Sequence, residues 1–201
     1  MPPVTRAPLL ALLLLPAACS YSLVDDAAGL RTQIVDLERS VPPESPLWVS
    51  EGPNRFDAFL DDRTPYVPDF IYHHLLRRLH AMGPREPESR SEGDFDREAS
   101  ERDPARFRGR FWRIHGLVAD LHPEPVEDPK GPVRTAHAGV LFDDAMLPVL
   151  FHVVEKPDVL TLREDTVEIQ ALFVKTIEYT ARGGRKIAAP LFIGKALRRT
   201  L

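Results

Sequence analysis

Between Thr166 and Tyr179 the chain alternates apolar and polar residues with a period of two. Val167, Ile169, Ala171, Phe173, Ile177 and Tyr179 fall on one face, interrupted by Lys175, while Glu168, Gln170, Thr176 and Glu178 fall on the other. That period predicts a long β-strand with one buried face. A strand of this kind needs neighbours and a covered face, so it constrains the rest of the chain to supply both. Four further strand segments answer that requirement. Arg108–Leu121 carries apolar residues on both faces and holds Gly116. Arg134–Phe142 and Leu147–Val154 flank a turn at Asp143–Met146, and Ile187–Gly194 follows the Gly183-Gly184 turn signal. A long strand with an internal glycine is suited to bending at a barrel corner. Five strands, with a proline-rich loop at 122–132 and a short connector at 157–165, predict a small closed barrel.

Upstream of the strands the pattern changes. Leu30, Ile34, Leu37 and Val41 mark one face of a first helix, ended by Pro42-Pro43. The stretch from Pro46 to Pro68 reads as irregular. A second helix is predicted over Asp69–Met82, started by Pro68-Asp69 and stopped by Gly83-Pro84. Its apolar stripe is Ile71, Leu75, Leu79 and Met82. From Pro84 to Pro104, charges of both signs alternate with Ser, Pro and Gly, and only Phe95 is large and apolar. Such a segment buries too little surface to offset its ordering entropy, and it reads as a flexible linker. The expected organisation is therefore a signal at 1–19, a helical segment at 20–83, a charged linker at 84–105 and a β-barrel domain at 106–201. The fold class is mainly β with a small α segment.

The first residues form a basic, then apolar, then small-residue series: Arg6, Leu9–Leu15, and Pro16-Ala17-Ala18. This is the layout of a secretion signal, with an apolar core too short to span a bilayer. Cys19 follows directly and is the only cysteine, so no internal disulfide can form. The run Leu-Leu-Pro-Ala-Ala-Cys resembles the lipobox of bacterial lipoproteins, although Pro16 stands where that family usually has leucine. The resemblance implies lipidation of Cys19, export, and a lipid anchor in a membrane facing the periplasm or exterior. The stretch from Leu162 to Ala171 resembles the entry into the fourth strand of OB-fold domains, with Ala171 where glycine is common. The strand order, with a connector after the third strand, is similar to the five-stranded OB-fold, and implies an OB-like barrel. The stretch from Phe173 to Phe192 also resembles the C-terminal part of exported proteins from planctomycete-like bacteria. That likeness implies a fold and an origin, and no activity.

Chemistry-bearing motifs are sparse. The formal net charge is -4 and the pI about 6.0, without the basic surplus of a phosphate-neutralising protein. Of the seven histidines, His73, His74 and His80 lie on the second helix, outside any His-Glu-x-x-His arrangement. His115, His122, His137 and His152 lack metal-ligand spacing. No Gly-x-Ser-x-Gly elbow or phosphate loop occurs. No metal, cofactor or catalytic residue is therefore expected. The candidate binding surface is basic: Arg108, Arg110, Arg113, Lys195, Arg198 and Arg199, near the two ends of the barrel segment. Aromatic residues Phe111, Trp112, Phe142 and Phe151 lie on the first three strands, where they either stack a ligand or fill the barrel. The expectation is a non-catalytic envelope lipoprotein, a binding or scaffolding module for a protein or envelope component. An OB-type module for nucleic acid or oligosaccharide is the alternative, and a hydrolase the third reading.

Overall fold

A computed structural model describes residues 60–64, 67–180 and 184–200. The expected signal, Cys19 and the helix expected near 30–41 lie outside the described residues. The described residues hold four helices, α1 (Asp69–Ala81), α2 (Glu86–Ser89), α3 (Arg97–Arg102) and α4 (Pro104–Phe107). They also hold six strands: β1 (Ser91–Asp94), β2 (Phe111–Pro125), β3 (Thr135–Phe142), β4 (Pro148–Val153), β5 (Thr166–Thr180) and β6 (Lys186–Thr200). All of them belong to one compact unit, Val41–Leu201.

The strands form one sheet in the order β1-β2-β3-β4-β6-β5, and β2 pairs with β5 as well. The pairings from β2 through β3, β4, β6 and β5 thus return to β2. β4 and β6 run parallel, as do β1 and β2, and the other neighbours run antiparallel. Leu117 of β2 stands opposite both Phe142 of β3 and Thr166 of β5, so β2 passes from one partner to the other at this point. Register shifts mark the bends: between Val118 and Asp120 on β2, and twice along β5 against β6. Irregularities of this kind kink a strand and increase its twist. Gly116 lets β3 come close, since a Cβ there would collide with the Phe142 carbonyl. A Cβ on Gly139 would strike the Phe151 ring.

Two apolar clusters cover the two faces of the sheet. One holds Ile114, Val118, Leu141, Val149, Phe151, Val167, Ile169, Ala171, Phe173 and Phe192, the two last in edge-to-face contact at 5.6 Å. The other joins α1 to the sheet: Ile71, Leu75, Leu76 and Leu79 pack with Ala136, Leu172, Val174, Leu191 and Ile193. The expected helical stripe is therefore the buried face of α1, and each such side chain contributes roughly 1.5–3 kcal/mol by leaving water. At the far end of α1 the buried Lys195 ammonium donates to the carbonyls of Leu79 and His80, both at 3.3 Å. It thereby satisfies acceptors that the last helical turn leaves open. The helix belongs to the core of the β-domain and not to a separate segment ending at residue 83.

The structure corrects three further expectations. The sheet has six strands rather than five, because β1 adds alongside β2. β1 lies in the stretch expected to be a flexible linker, which also carries α2, α3 and the start of α4. Two aspartates cap its helices: Asp96 accepts from Ala99 N at 2.9 Å, and Asp103 from Arg106 N at 3.4 Å. Phe95 supplies the missing apolar anchor, with its ring 4.8 Å from Phe192 and 5.4 Å from Phe173. The third correction concerns the row along β5. Val167, Ile169, Ala171 and Phe173 share one cluster as expected, but Ile177 belongs to the other. Phe173 faces Phe192 and Lys175 faces the next residue back, Leu191, so Val174 is the extra residue of a bulge. The bulge reverses the alternation and turns Lys175 and Ile177 to the helix-covered face.

Candidate functional site

The six basic residues of the candidate surface separate into two groups. Arg108 and Lys195 are buried. The Arg108 guanidinium donates through Nε to the Val174 carbonyl at 2.9 Å and through Nη2 to Asp62 at 2.6 Å. Lys195 adds an ion pair with Glu155 at 3.0 Å to its bonds with α1. Both hold segments of the fold together and are withdrawn from any surface.

The other four reach the exterior, and each meets a carboxylate. Arg110 lies 3.5 Å from Glu92, Arg113 2.6 Å from Asp94, Arg198 3.4 Å from Glu88 and Arg199 2.7 Å from Asp165. Three of these four partners, Glu88, Glu92 and Asp94, come from the 84–105 stretch. The hydrogen bond from Arg113 holds the Asp94 carboxyl below its usual range and raises the guanidinium in return. The acids of the expected linker thus neutralise the bases of the sheet. Across the exposed face, Arg113 stands opposite Gln170, His115 opposite Glu168, and Glu168 opposite Arg198. The surface is a ladder of mixed charge rather than a basic patch.

The aromatic candidates are mostly spent on packing. Phe111 and Phe151 are buried. Trp112 stacks on Phe107 at 4.7 Å and donates its indole N–H to the Phe107 carbonyl at 3.1 Å. Phe142 alone of the four is half-buried without such a contact among the described residues.

The histidines do not converge. His152 stands opposite Ala138, and His137 opposite Val153, so the two project to opposite faces of the β3–β4 pair. Tyr72 of α1 meets His152 Nδ1 at 2.8 Å, and Glu124 lies 3.4 Å from the same nitrogen. Burial, with His122 nearby, pushes the His152 pKa down to about 4, so the ring is neutral at physiological pH. Burial and then Glu124 raise the Tyr72 phenol. A neutral imidazole held by a phenol ties α1 to β4. Among the described residues no three His, Cys, Asp or Glu side chains form a metal-binding group.

Two polar anchors have partners that pattern reading does not supply. In the β2–β3 loop the Asp128 carboxylate, 3% exposed, accepts from Arg77 Nε at 2.6 Å and Nη2 at 2.9 Å. This hydrogen bond is the main cause holding the Asp128 carboxyl below its ordinary range. Arg134 donates to the Asp128 carbonyl at 2.7 Å, so one residue fastens both the loop and the helix. The other anchor is Lys175, which is fully buried and donates to the Asp61 carbonyl and to Thr64 Oγ1. Residues 60–64 form a strap along β5 there: Arg63 bridges Ile177 in parallel, and Asp62 accepts from Thr176 N at 3.1 Å. Burial pulls the Lys175 pKa down, opposed by Asp62 and Asp61. Both anchors join residues far apart in sequence, so no local pattern names their partners.

Comparison with protein-family models and with curated proteins finds no match.

Proposed function

We propose that this chain is a non-catalytic binding or scaffolding module of the bacterial cell envelope, built on an OB-like barrel and lipid-anchored through Cys19. The observation that carries the reading is how the chemistry-bearing side chains are used. Arg108, Lys195, Lys175, Asp128 and His152 each fasten one segment of the fold to another. The barrel reading is supported by the circuit of pairings that returns to β2, and by the parallel pairing of β4 with β6. On this reading Phe151, Phe173 and Phe192 fill the barrel interior, where they are fully buried. β1 is then an addition outside the five-stranded circuit.

The same observations weigh against a nucleic-acid module. Neutralising phosphates needs cations that are free to release counterions. Here the four exposed arginines of the candidate surface are matched by Glu88, Glu92, Asp94 and Asp165. The envelope address rests on the residues from Leu9 to Cys19. Its test is cell fractionation of wild type and Cys19→Ala. Wild type is expected in the membrane fraction with an intact mass that includes acyl chains, and the variant in the soluble fraction. Equal membrane association of the two, or a wild-type mass without acyl chains, would sink the anchor. Salt-sensitive binding to single-stranded DNA would favour the nucleic-acid reading instead.

A further inference from the structure

One row across the sheet sets two histidines on either side of a small residue. His122 of β2 stands opposite Ala138 of β3, and Ala138 stands opposite His152 of β4. Ile193 of β6 closes the row on the far side of His152. Directly opposed residues share a face, so both imidazoles lie on the face that α1 partly covers. Tyr72, in the first turn of α1, reaches His152 there. Its hydroxyl is 2.8 Å from Nδ1, and the two rings meet edge to face at 5.3 Å. Glu124, two residues beyond His122 on β2, lies 3.4 Å from the same nitrogen. A phenol from the helix and a carboxylate from the sheet thus converge on one atom.

That atom serves them differently in its two protonation states. In the neutral ring Nδ1 offers a lone pair. A phenol is the stronger donor and an imidazole nitrogen the stronger acceptor, so the Tyr72 hydroxyl donates and the ring proton sits on Nε2. A proton added at Nδ1 consumes the lone pair and makes the nitrogen a donor. The carboxylate is then the better partner, because bonds between charged groups are the stronger ones. The other titratable groups facing this point are His73 of α1, its ring 6.1 Å from that of Tyr72, and His122, with Asp120 3.5 Å from it. β3 and β6 oppose the row only with Ala138 and Ile193, and His137 projects to the other face. Burial first and His122 second pull the His152 pKa down to about 4, so the closed helix favours the neutral ring. An imidazole released to water returns to about 6.5.

We propose that His152 is a proton-operated latch on the first turn of α1: on taking a proton at Nδ1 it exchanges the Tyr72 hydroxyl for the Glu124 carboxylate, and the turn lifts from β4. The His152 pKa is depressed in the closed state, so the latch holds fully above about 6.5 and weakens as pH falls toward 4. Across that whole window one proton shifts the opening equilibrium by at most about 300-fold. That is too little to free the helix. Leu75, Leu76 and Leu79 are fully buried, Asp128 holds Arg77, and Lys195 caps the far end. The first turn has weaker moorings: no side chain caps its start, and Phe70 and Tyr72 only border the apolar cluster. Acid therefore loosens this turn alone. The latch depends neither on the anchor nor on what the module binds.

Hydrogen exchange of the full chain, followed by NMR at pH 7 and pH 5 and corrected for intrinsic rates, tests it. The amides of Ile71 and Tyr72 donate to the Pro68 carbonyl, and their opening equilibrium should rise by roughly twentyfold. Met82 N, bonded to the Arg78 carbonyl in the last turn, should not change. The ¹⁵N shifts of His152 should show the Nε2–H tautomer at pH 7 and a midpoint well below 6.5. His152→Gln cannot titrate and keeps an acceptor for Tyr72, so its first turn should exchange alike at both pH values. Tyr72→Phe provides a second variant and should raise the His152 midpoint, because it removes a bond that only the neutral ring accepts. An Nδ1–H tautomer at pH 7, a flat response of the first turn, or equal acceleration at Met82 would each overturn the latch. So would a pH response that survives in His152→Gln, or a His152 midpoint unmoved by Tyr72→Phe.

Discussion

Phe95→Ala tests whether the 84–105 stretch is part of the domain. The Phe95 ring lies 4.8 Å from Phe192, 5.4 Å from Phe173, 5.8 Å from Phe107 and 6.2 Å from Trp112. Emptying a fully buried phenylalanine site costs about 3–5 kcal/mol. Phe95 is only half-buried, so part of its ring already meets water and the transfer loss is smaller. Its aromatic contacts add roughly 0.5–1.5 kcal/mol each at best, and not independently. The expected cost is about 2–3 kcal/mol. At roughly 2–4 °C per kcal/mol for a domain of this size, the melting temperature should fall by about 4–12 °C. Urea melts should show a lower midpoint with an unchanged slope. Limited proteolysis should cut between Arg85 and Arg106 faster in the variant than in wild type. Phe173→Ala, at a fully buried position, calibrates the scale at about 3–5 kcal/mol. The reasoning fails if Phe95→Ala melts within about 0.5 kcal/mol of wild type, the range of surface substitutions. It fails also if wild type is nicked first in this stretch and the fragment beginning near Phe107 keeps its cooperative transition.

Two further predictions concern the polar anchors. Asp128→Asn should destabilise by about 2 kcal/mol at neutral pH, less than a fully buried pair because Arg77 is 30% exposed. The Asp128 pKa is depressed in the folded state, so its stabilisation is present above the unfolded value of 3.8 and fades as pH falls through the folded one. Melts at pH 7 and pH 3 should show the deficit of the variant shrinking in acid, and a constant deficit would refute the electrostatic account. Lys175→Met should remain within about 1–2 kcal/mol of wild type at pH 7, because losing the buried charge offsets the lost hydrogen bonds. The Lys175 pKa is also depressed in the folded state, so the burial penalty is fully present below that value and is relieved as pH rises toward the unfolded 10.5. Stability of wild type relative to the variant should accordingly climb between neutral and alkaline pH, and a flat difference would refute it.

The strands and α1 were legible because their information is periodic and local. Val167 to Ala171 alternate without a break, and Ile71, Leu75 and Leu79 recur at helical spacing, so each face follows from the residues themselves. Reading ended where a tertiary contact decided. The bulge at Val174 is set by pairing with β6, and only Lys175 in an apolar row hinted at it. The 84–105 stretch has too little apolar surface to fold alone, and local pattern cannot reveal that β2, β5 and β6 offer Phe95 a ready-made site. The basic surface failed for a related reason. Arg113 and Asp94 are far apart in sequence and meet only once β1 lies beside β2, so neither residue announces its partner.

These contacts share a direction: what precedes β2 is bound onto the sheet that follows it. Phe95 packs on Phe173 and Phe192, α1 covers Leu172 and Ile193, and residues 60–64 lie along β5. The strap at 60–64 is the clearest case. Its hold combines backbone bonds from Arg63 N to Thr176 O at 2.7 Å and from Glu178 N to Arg63 O at 3.0 Å with two side-chain clasps. The clasps are Arg108 on Asp62 and Lys175 on the Asp61 carbonyl. Both cations are buried, and a buried ion pair resists losing one partner far more than it adds to net stability. Arg108 and Lys175 are therefore better understood as fixing where the strap attaches than as raising the melting point. That use also explains why two cations occupy positions where apolar residues would pack at least as well.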